Sequence, residues 1–499
     1  MKLLLGIDVG TSGLKCVLMN EEGTILATAG GDYPLFTPQP AWSEQNPEDW
    51  WDATRKALHE VTAQMPSDGE IAGIGLCGQM HGLVALAEDG SVVRPAILWN
   101  DQRTGEQCSE IIEEAGGIDG LVSATNNTML TGYTGGKILW VKENEPENYA
   151  RIHKFVMPKD YIRYRLTGKT ATDVSDASGT GFFDVRSSTW ADGLLERLDI
   201  DISIFPDVVE SDAVSGYVTD KAAEETGLAP GIPVYGGGGD AVLQNAGMGI
   251  VKEGTLGVVL GTSGVVATPL KNFADNAGGR LQFFRSNEAG SYMVFGCQLS
   301  CAGSMEWFKN LVYQDTPDAL AVINREAEES PIGSNGISFL PYLSGERCPH
   351  PNPDARGVFY GLSLIDKRGD LGRAVMEGVT FGLREIYALM QEADPSLKVH
   401  QILISGGGSK SALWKQIVAD IFNLPVKVLS GAGEGGAYGA ALVAGIGAGI
   451  FDSLAATEKM HKTVEVIEPD SAAHAAYEKP YALYRQLYKD LVKTYSEFA

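Results

Sequence analysis

Short apolar runs broken by glycine turns open the chain. Residues 3–8 (LLLGID) and 14–20 (LKCVLMN) have the length and apolar content of buried strands, and VGTSG (9–13) between them is a tight turn. EEG (21–23) is a second turn and TILATAG (24–30) a third strand, so the first thirty residues predict a three-stranded meander. Gly10 and Gly13 bracket the first turn, where glycine takes a positive φ at little cost. PEDWWDATRKALHEVTAQ (47–64) predicts a helix, with Asn46 as cap, Pro47 in the first turn and acids early. IAGIGLCGQMHGLVAL (71–86) returns to two short strands around a glycine turn.

The same alternation continues downstream. IPVYGGGGDAVLQNAGMGIV (232–251) reads as a strand, four glycines, an Asp and a helix. GTLGVVLGTSGVVATP (254–269) repeats the strand–turn–strand pattern of the N-terminus. HQILISGGGSKSALWKQIVADIF (400–422) is a strand, a glycine turn and a helix with Leu413, Ile417 and Ile421 on one face. Alternating strands and helices predict an α/β fold. A chain of 499 residues exceeds a single core, which predicts two domains, 1–247 and 248–499, facing each other across a cleft.

Composition narrows the partners. The net charge of −25 argues against nucleic acid and against an anionic membrane surface, though not against a bound nucleotide. MKLLLGID is too short for a signal-peptide core, and no run of about 18 apolar residues occurs. The six cysteines (16, 77, 108, 297, 301 and 348) form no CxxC pair, which fits a reducing cytoplasm. Cys297 and Cys301 read as small apolar residues rather than metal ligands.

The candidate chemistry lies in the turns. GTSG occurs at 10–13 and again at 261–264. A glycine turn lets successive backbone N–H groups cradle phosphate oxygens. Gly10, Thr11, Ser12, Gly261, Thr262 and Ser263 supply such donors, and Lys15 lies just beyond the first turn. Asp8 would repel phosphate unless a cation sat between them, which points to Mg²⁺ held through water. GKT at 168–170 is no P-loop, because Arg163 stands where that motif needs glycine. No GxSxG or HExxH occurs. Asp240, after four glycines, reads both as a helix cap and as a general base for a hydroxyl in phosphoryl transfer. Met80 and His81 sit on a glycine-flanked turn, where the imidazole can donate to a sugar hydroxyl or carbonyl. Trp99 reads equally as a ring for a sugar face or as a core residue beside the polar cluster Asn100, Asp101 and Arg103.

Taken together, these segments resemble the FGGY carbohydrate kinases over nearly the whole chain. GIDVGTSGLK and LGTSG look like the family's two phosphate hairpins, and GGGGD like its catalytic segment, which puts the base at Asp240. GQMHG and RPAILWNDQR resemble the sugar region of members that phosphorylate D-xylulose, with Met80 and His81 as sugar contacts. GGGSKSALWKQIVADIF resembles the adenosine turn, with Gly407, Gly408 and Ser411 near the nucleotide. FLPYLSGERCPHPNPDARGVFYGL resembles the C-terminal signature. The resemblance implies two ribonuclease-H-like domains of the actin-like ATPase superfamily around a nucleotide and sugar cleft. It also implies an ATP- and Mg²⁺-dependent kinase making D-xylulose 5-phosphate, with no nucleic-acid or membrane partner and with a homodimer as an open option. One departure is Ala241, where many such members carry a polar residue, so another ketose or a polyol is the alternative substrate. An actin-like ATPase without a sugar would need neither GGGGD nor GQMHG.

Overall fold

The computed structural model describes residues 1–430 and 435–497. One five-strand motif is used twice. In the first half, β1 (Lys2–Val9), β2 (Gly13–Asn20) and β3 (Ile25–Asp32) form an antiparallel meander. On the other side of β1, β4 (Glu70–Gly78) and β5 (Pro233–Tyr235) add in parallel. In the second half, β6 (Thr255–Leu260), β7 (Gly264–Leu270) and β8 (Tyr292–Gln298) are the meander. There β9 (Gln401–Ser405) and β10 (Val426–Leu429) add in parallel. Both sheets therefore have the ribonuclease-H-like order 3-2-1-4-5 within their own half.

β1 shows how the pattern places the site. Leu3, Leu5, Ile7 and Val9 pack with Trp50 and Leu58 of α1 (Pro47–Thr62) in one core cluster. Leu4, one residue out of phase, belongs to another cluster with Ala440 and Leu442. Successive side chains of a strand alternate faces, so Asp8 shares the face of Leu4 and Gly6. That face is covered by α4 (Gly435–Gly447), a helix from the C-terminal half. A side chain at Gly6 or Gly75 would collide with the Ala437 or Ala440 carbonyl, so glycine is needed for this close approach. α2 (Asp240–Gly247) packs beside it, with Gly247 against the Gly435 carbonyl.

A second junction is polar and buried. Asn127 donates through Nδ2 to the Phe283 carbonyl (2.7 Å) and accepts from Phe283 N–H (2.9 Å). Asn276 donates twice to Asn126, from its N–H to Oδ1 and from its Nδ2 to the carbonyl, each at 3.0 Å. Asn287 donates to Ser211 Oγ at 3.0 Å. These amides fix the start of β8's neighbour, Gln282–Arg285, to the N-terminal half.

Two local expectations change. Gly10 and Gly13 do not lie at positive φ. Glycine is required there because a Cβ at 10 would meet the Gly13 carbonyl, and one at 13 the Gly31 carbonyl. Asp240 is the first helical residue rather than the cap, which is Gly239. Among the described residues, no helix is long and apolar enough to cross a membrane.

Candidate active site

Asp8, one residue before the end of β1, lies beside Lys15 of β2 and Cys77 of β4 in the strand register. Its Oδ1 is buried without a hydrogen-bond partner among the described residues. Burial raises its pKa, offset in part by a hydrogen bond with Cys77 and by the Lys15 charge. A side chain at Gly436 would run into this carboxylate, so α4 seals it from behind. Asp240 starts α2, and its Oδ1 accepts from Ala241 N–H at 2.7 Å. Its pKa is pushed up to about 7, first by burial and then by the negative charge of Asp8; the N–H groups of Ala241 and Met80 pull it back. A carboxylate raised by burial and by the charge of a second one, with Lys15 beside that second carboxylate, forms a site poised for proton uptake or for a metal ion.

Hairpin 1, residues 10–13, is held from behind by its carbonyls. Gln45 Nε2 donates to the Thr11 carbonyl at 2.7 Å, and Gln79 Nε2 and Tyr33 OH donate to the Gly10 carbonyl. Thr11 Oγ1 is spent within the protein: it donates to Gln79 (3.3 Å) and accepts from Trp99 Nε1 (2.8 Å). Ser12 remains exposed at the tip. Hairpin 2, residues 261–264, is anchored in the same way. The Gly261 carbonyl accepts from Ala302 N–H (2.8 Å) and the Thr262 carbonyl from Cys301 N–H (2.9 Å), at the start of the helix Ala302–Val312. Thr262 is exposed, and Ser263 bonds to the Cys297 thiol. Carbonyls turned away leave the N–H face of each hairpin for an anion.

On the other side of Asp240, Met80 is buried at 2% exposure, and its sulfur packs where a Gly239 Cβ would be. Its link to the site is the backbone N–H that supports Asp240. His81 has a φ of +67°, an uncommon conformation for a residue with a Cβ. Its Nδ1 lies 2.6 Å from the Gly179 carbonyl. A carbonyl only accepts, so Nδ1 carries the proton. Burial, with Lys137 and Arg347 adding to it, lowers the imidazole pKa to about 3, so the ring is neutral. Nε2 is then an acceptor for a hydroxyl hydrogen, not the donor expected from the sequence. The ring stacks on Tyr133 with centroids 4.5 Å apart. Lys137 fixes the turn by donating to the His81 carbonyl (2.6 Å) and the Gly132 carbonyl (2.5 Å). Trp99 is 46% exposed, while Asp101 and Arg103 form a buried 2.7 Å ion pair over Trp42, a structural arrangement.

The second half contributes a cavity of about 850 Å³ lined by Gly261, Thr262, Gly407, Gly408, Ser411 and Trp414. Gly406 has a φ of +88° and lies against Leu260 and Gly261, so the glycine turn packs directly on hairpin 2. Ser411 caps α3 (Ala412–Phe422) by accepting from Trp414 N–H (3.0 Å) and donates to Asn324. The remaining wall is mostly apolar, including Met305, Leu320 and Ile323, which suits a planar ring beside a phosphate cradle.

Residues 3–247 match the N-terminal domain of the FGGY family of carbohydrate kinases, and residues 256–448 match its C-terminal domain. The chain belongs to the FGGY family of carbohydrate kinases. It is 38% identical over 496 residues to the xylulose kinase of Bacillus subtilis, covering 98% of each protein. It is 35% identical over 490 residues to that of Escherichia coli K12, covering 98% of this chain and 99% of the relative. The crystal structure of xylulose kinase from Rhodospirillum rubrum superposes with a TM-score of 0.93 at 30% identity, over 99% of this chain and 100% of that one.

In this FGGY chain Asp8, Asp240 and Met80 lie together in the N-terminal half, with His81 next to Met80, and Gly261, Thr262, Gly407, Gly408 and Ser411 line one cavity of the other half. Gln79, Tyr33, Tyr133 and Lys137 escaped the sequence reading. Gln79 lies inside GQMHG, and its position next to Met80 was a usable signal. Lys137 carried none, since a lysine on a helix reads as solvated until burial is known.

Proposed function

We propose that this chain transfers the γ-phosphoryl group of ATP to the C5 hydroxyl of D-xylulose, giving D-xylulose 5-phosphate and ADP. The observation that carries this reading is Asp240: a half-buried carboxylate with a pKa of about 7, backed by the N–H groups of Ala241 and of Met80, the neighbour of His81. A base matched to neutral pH takes the hydroxyl proton as the sugar oxygen attacks phosphorus. The O5–P bond forms while the bond from the γ-phosphorus to the bridging oxygen breaks, and ADP keeps that electron pair. The two hairpins cradle the phosphates with Ser12, Thr262 and Lys15, and the 850 Å³ cavity takes the adenosine. The full-length xylulose kinase relatives support D-xylulose over another ketose or a polyol.

The donor set suits Mg²⁺. Among the described residues, Asp8 Oδ1 is a hard oxygen without a hydrogen-bond partner, and no cluster of three or more metal-ligating side chains competes for the ion. Asp8 would hold the ion, through water. When bound, magnesium neutralises phosphate oxygens. The division at residue 247 and a cytoplasmic location, in keeping with six free thiols, belong to the same reading.

The test is ADP release against a panel of pentuloses, hexuloses and polyols. D-xylulose should stimulate ADP formation most; a different sugar at the top of the panel rejects D-xylulose and leaves a kinase. His81→Ala removes an acceptor aimed at a sugar hydroxyl. It should lower kcat/KM for the sugar roughly 10- to 100-fold, as expected for a lost buried hydrogen bond. The KM for ATP should change far less, and equal losses for both substrates would remove His81 from the sugar site.

A further inference from the structure

One part of the C-terminal signature has no role in this scheme: the loop carrying Glu346 and Arg347. β7 and β8 pair so that Gly264, the last residue of hairpin 2, faces Gln298. The next residue, Leu299, donates its N–H to Glu346 Oε1 at 2.9 Å, and Arg347 N–H donates to the same oxygen at 2.8 Å. Glu346 is 3% exposed. A buried carboxylate thus ties the Arg347 backbone to the end of the strand beside the phosphate hairpin.

The Arg347 side chain has no such tie. Its guanidinium makes no hydrogen bond or ion pair among the described residues, although Glu346 is its neighbour in sequence, and it is exposed. Its charge is nevertheless felt on both walls of the cleft. It helps keep His81 neutral and acts on Tyr133 in the N-terminal half, and it acts on Cys297 beside hairpin 2. The charge balance calls for such a group. Asp8 and Asp240 are both acidic, and a nucleotide triphosphate adds more negative charge to the same space.

Resting on the kinase reading above, we propose that Arg347 is a catalytic arginine that binds the transferring phosphoryl group across the cleft and then the phosphate of the sugar product. Its planar fork matches two phosphate oxygens at once. As the γ-phosphorus leaves the bridging oxygen and joins the sugar O5, charge spreads over its equatorial oxygens, and a fixed guanidinium stabilises that charge. Glu346 acts as a positioning residue, holding the loop through backbone N–H groups.

Arg347→Ala should lower sugar-dependent turnover by about 100-fold, the scale of a lost transition-state donor. Affinity for D-xylulose, measured calorimetrically, should stay within about twofold, while affinity for D-xylulose 5-phosphate falls about tenfold or more. Arg347→Lys keeps the charge without the fork and should recover part of both losses, and added guanidinium should rescue Arg347→Ala in part. Turnover within about threefold of the unaltered enzyme overturns the proposal. An equal loss of affinity for the sugar and its phosphate overturns it too, because the arginine then acts on the sugar or on the fold. An unaltered enzyme that phosphorylates no sugar fails the underlying kinase reading instead, a result visible before any variant is made.

Discussion

Asp240→Asn should lower sugar-dependent turnover by roughly 10²–10⁴-fold, the usual contribution of a general base. ATP affinity should change little, since the adenosine cavity lies in the other half. The acid limb of kcat/KM in the unaltered enzyme should fall near pH 7, because Asp240 works only when deprotonated and its pKa is about 7. A stability readout separates loss of the base from damage to the fold. The folded-state pKa lies above the ordinary aspartate value of 3.8, so protonated Asp240 favours the native state, and that contribution is lost as pH rises through about 7. Asparagine carries no charge to desolvate. The variant should therefore melt at a higher temperature than the unaltered enzyme at pH 8, with the gain vanishing towards pH 4. Near-normal turnover, or an acid limb that stays below pH 5, removes Asp240 as the base.

Asp8→Asn should also lower turnover by about 10²-fold or more, for a different reason: the oxygen expected to hold the magnesium hydration shell is weakened. The half-saturating Mg²⁺ concentration should rise, while D-xylulose affinity stays close to normal. The same change removes a negative charge that raises the Asp240 pKa. The residual activity should therefore show its acid limb at lower pH than the unaltered enzyme. An unchanged Mg²⁺ requirement together with an unmoved acid limb contradicts the placement of both carboxylates in one site.

The doubled fold was legible because its strongest signal is local. Each GTSG turn sits between two apolar runs of strand length, and the meander follows from that alone. The helix at Pro47–Thr62 was equally plain from its cap and spacing. What pattern alone did not show is how the halves interlock. The stretch AALVAGIGAGI reads as a short glycine-rich run, yet its first eight residues belong to α4, which lies on the sheet of the N-terminal half. Only the approach of the Ala437 and Ala440 carbonyls to Gly6 and Gly75 explains why four distant positions are small.

The site divides in the same way. Asp8 and Asp240 were legible as carboxylates at strand and helix ends next to glycines. The roles of Thr11, Met80 and His81 were only half legible, because the direction of a side chain is set by neighbours far along the chain. Thr11 turns its hydroxyl to Trp99 and Gln79, and Met80 turns its sulfur to the core and its N–H to Asp240. His81 offers an acceptor because the Gly179 carbonyl, 98 residues on, holds the proton on Nδ1. Arg347 lies in the C-terminal signature, but that its charge acts on both His81 and Cys297 is a property of the folded chain.

The central claim is that the cleft delivers phosphorus to a sugar oxygen rather than to water. Phosphorus NMR of the enzyme with ATP, Mg²⁺ and D-xylulose tests it directly. The account predicts one new phosphomonoester signal, split by the two protons on C5, growing at the rate at which ADP appears, with almost no inorganic phosphate. ATP consumed to inorganic phosphate at the same rate with and without sugar would contradict it.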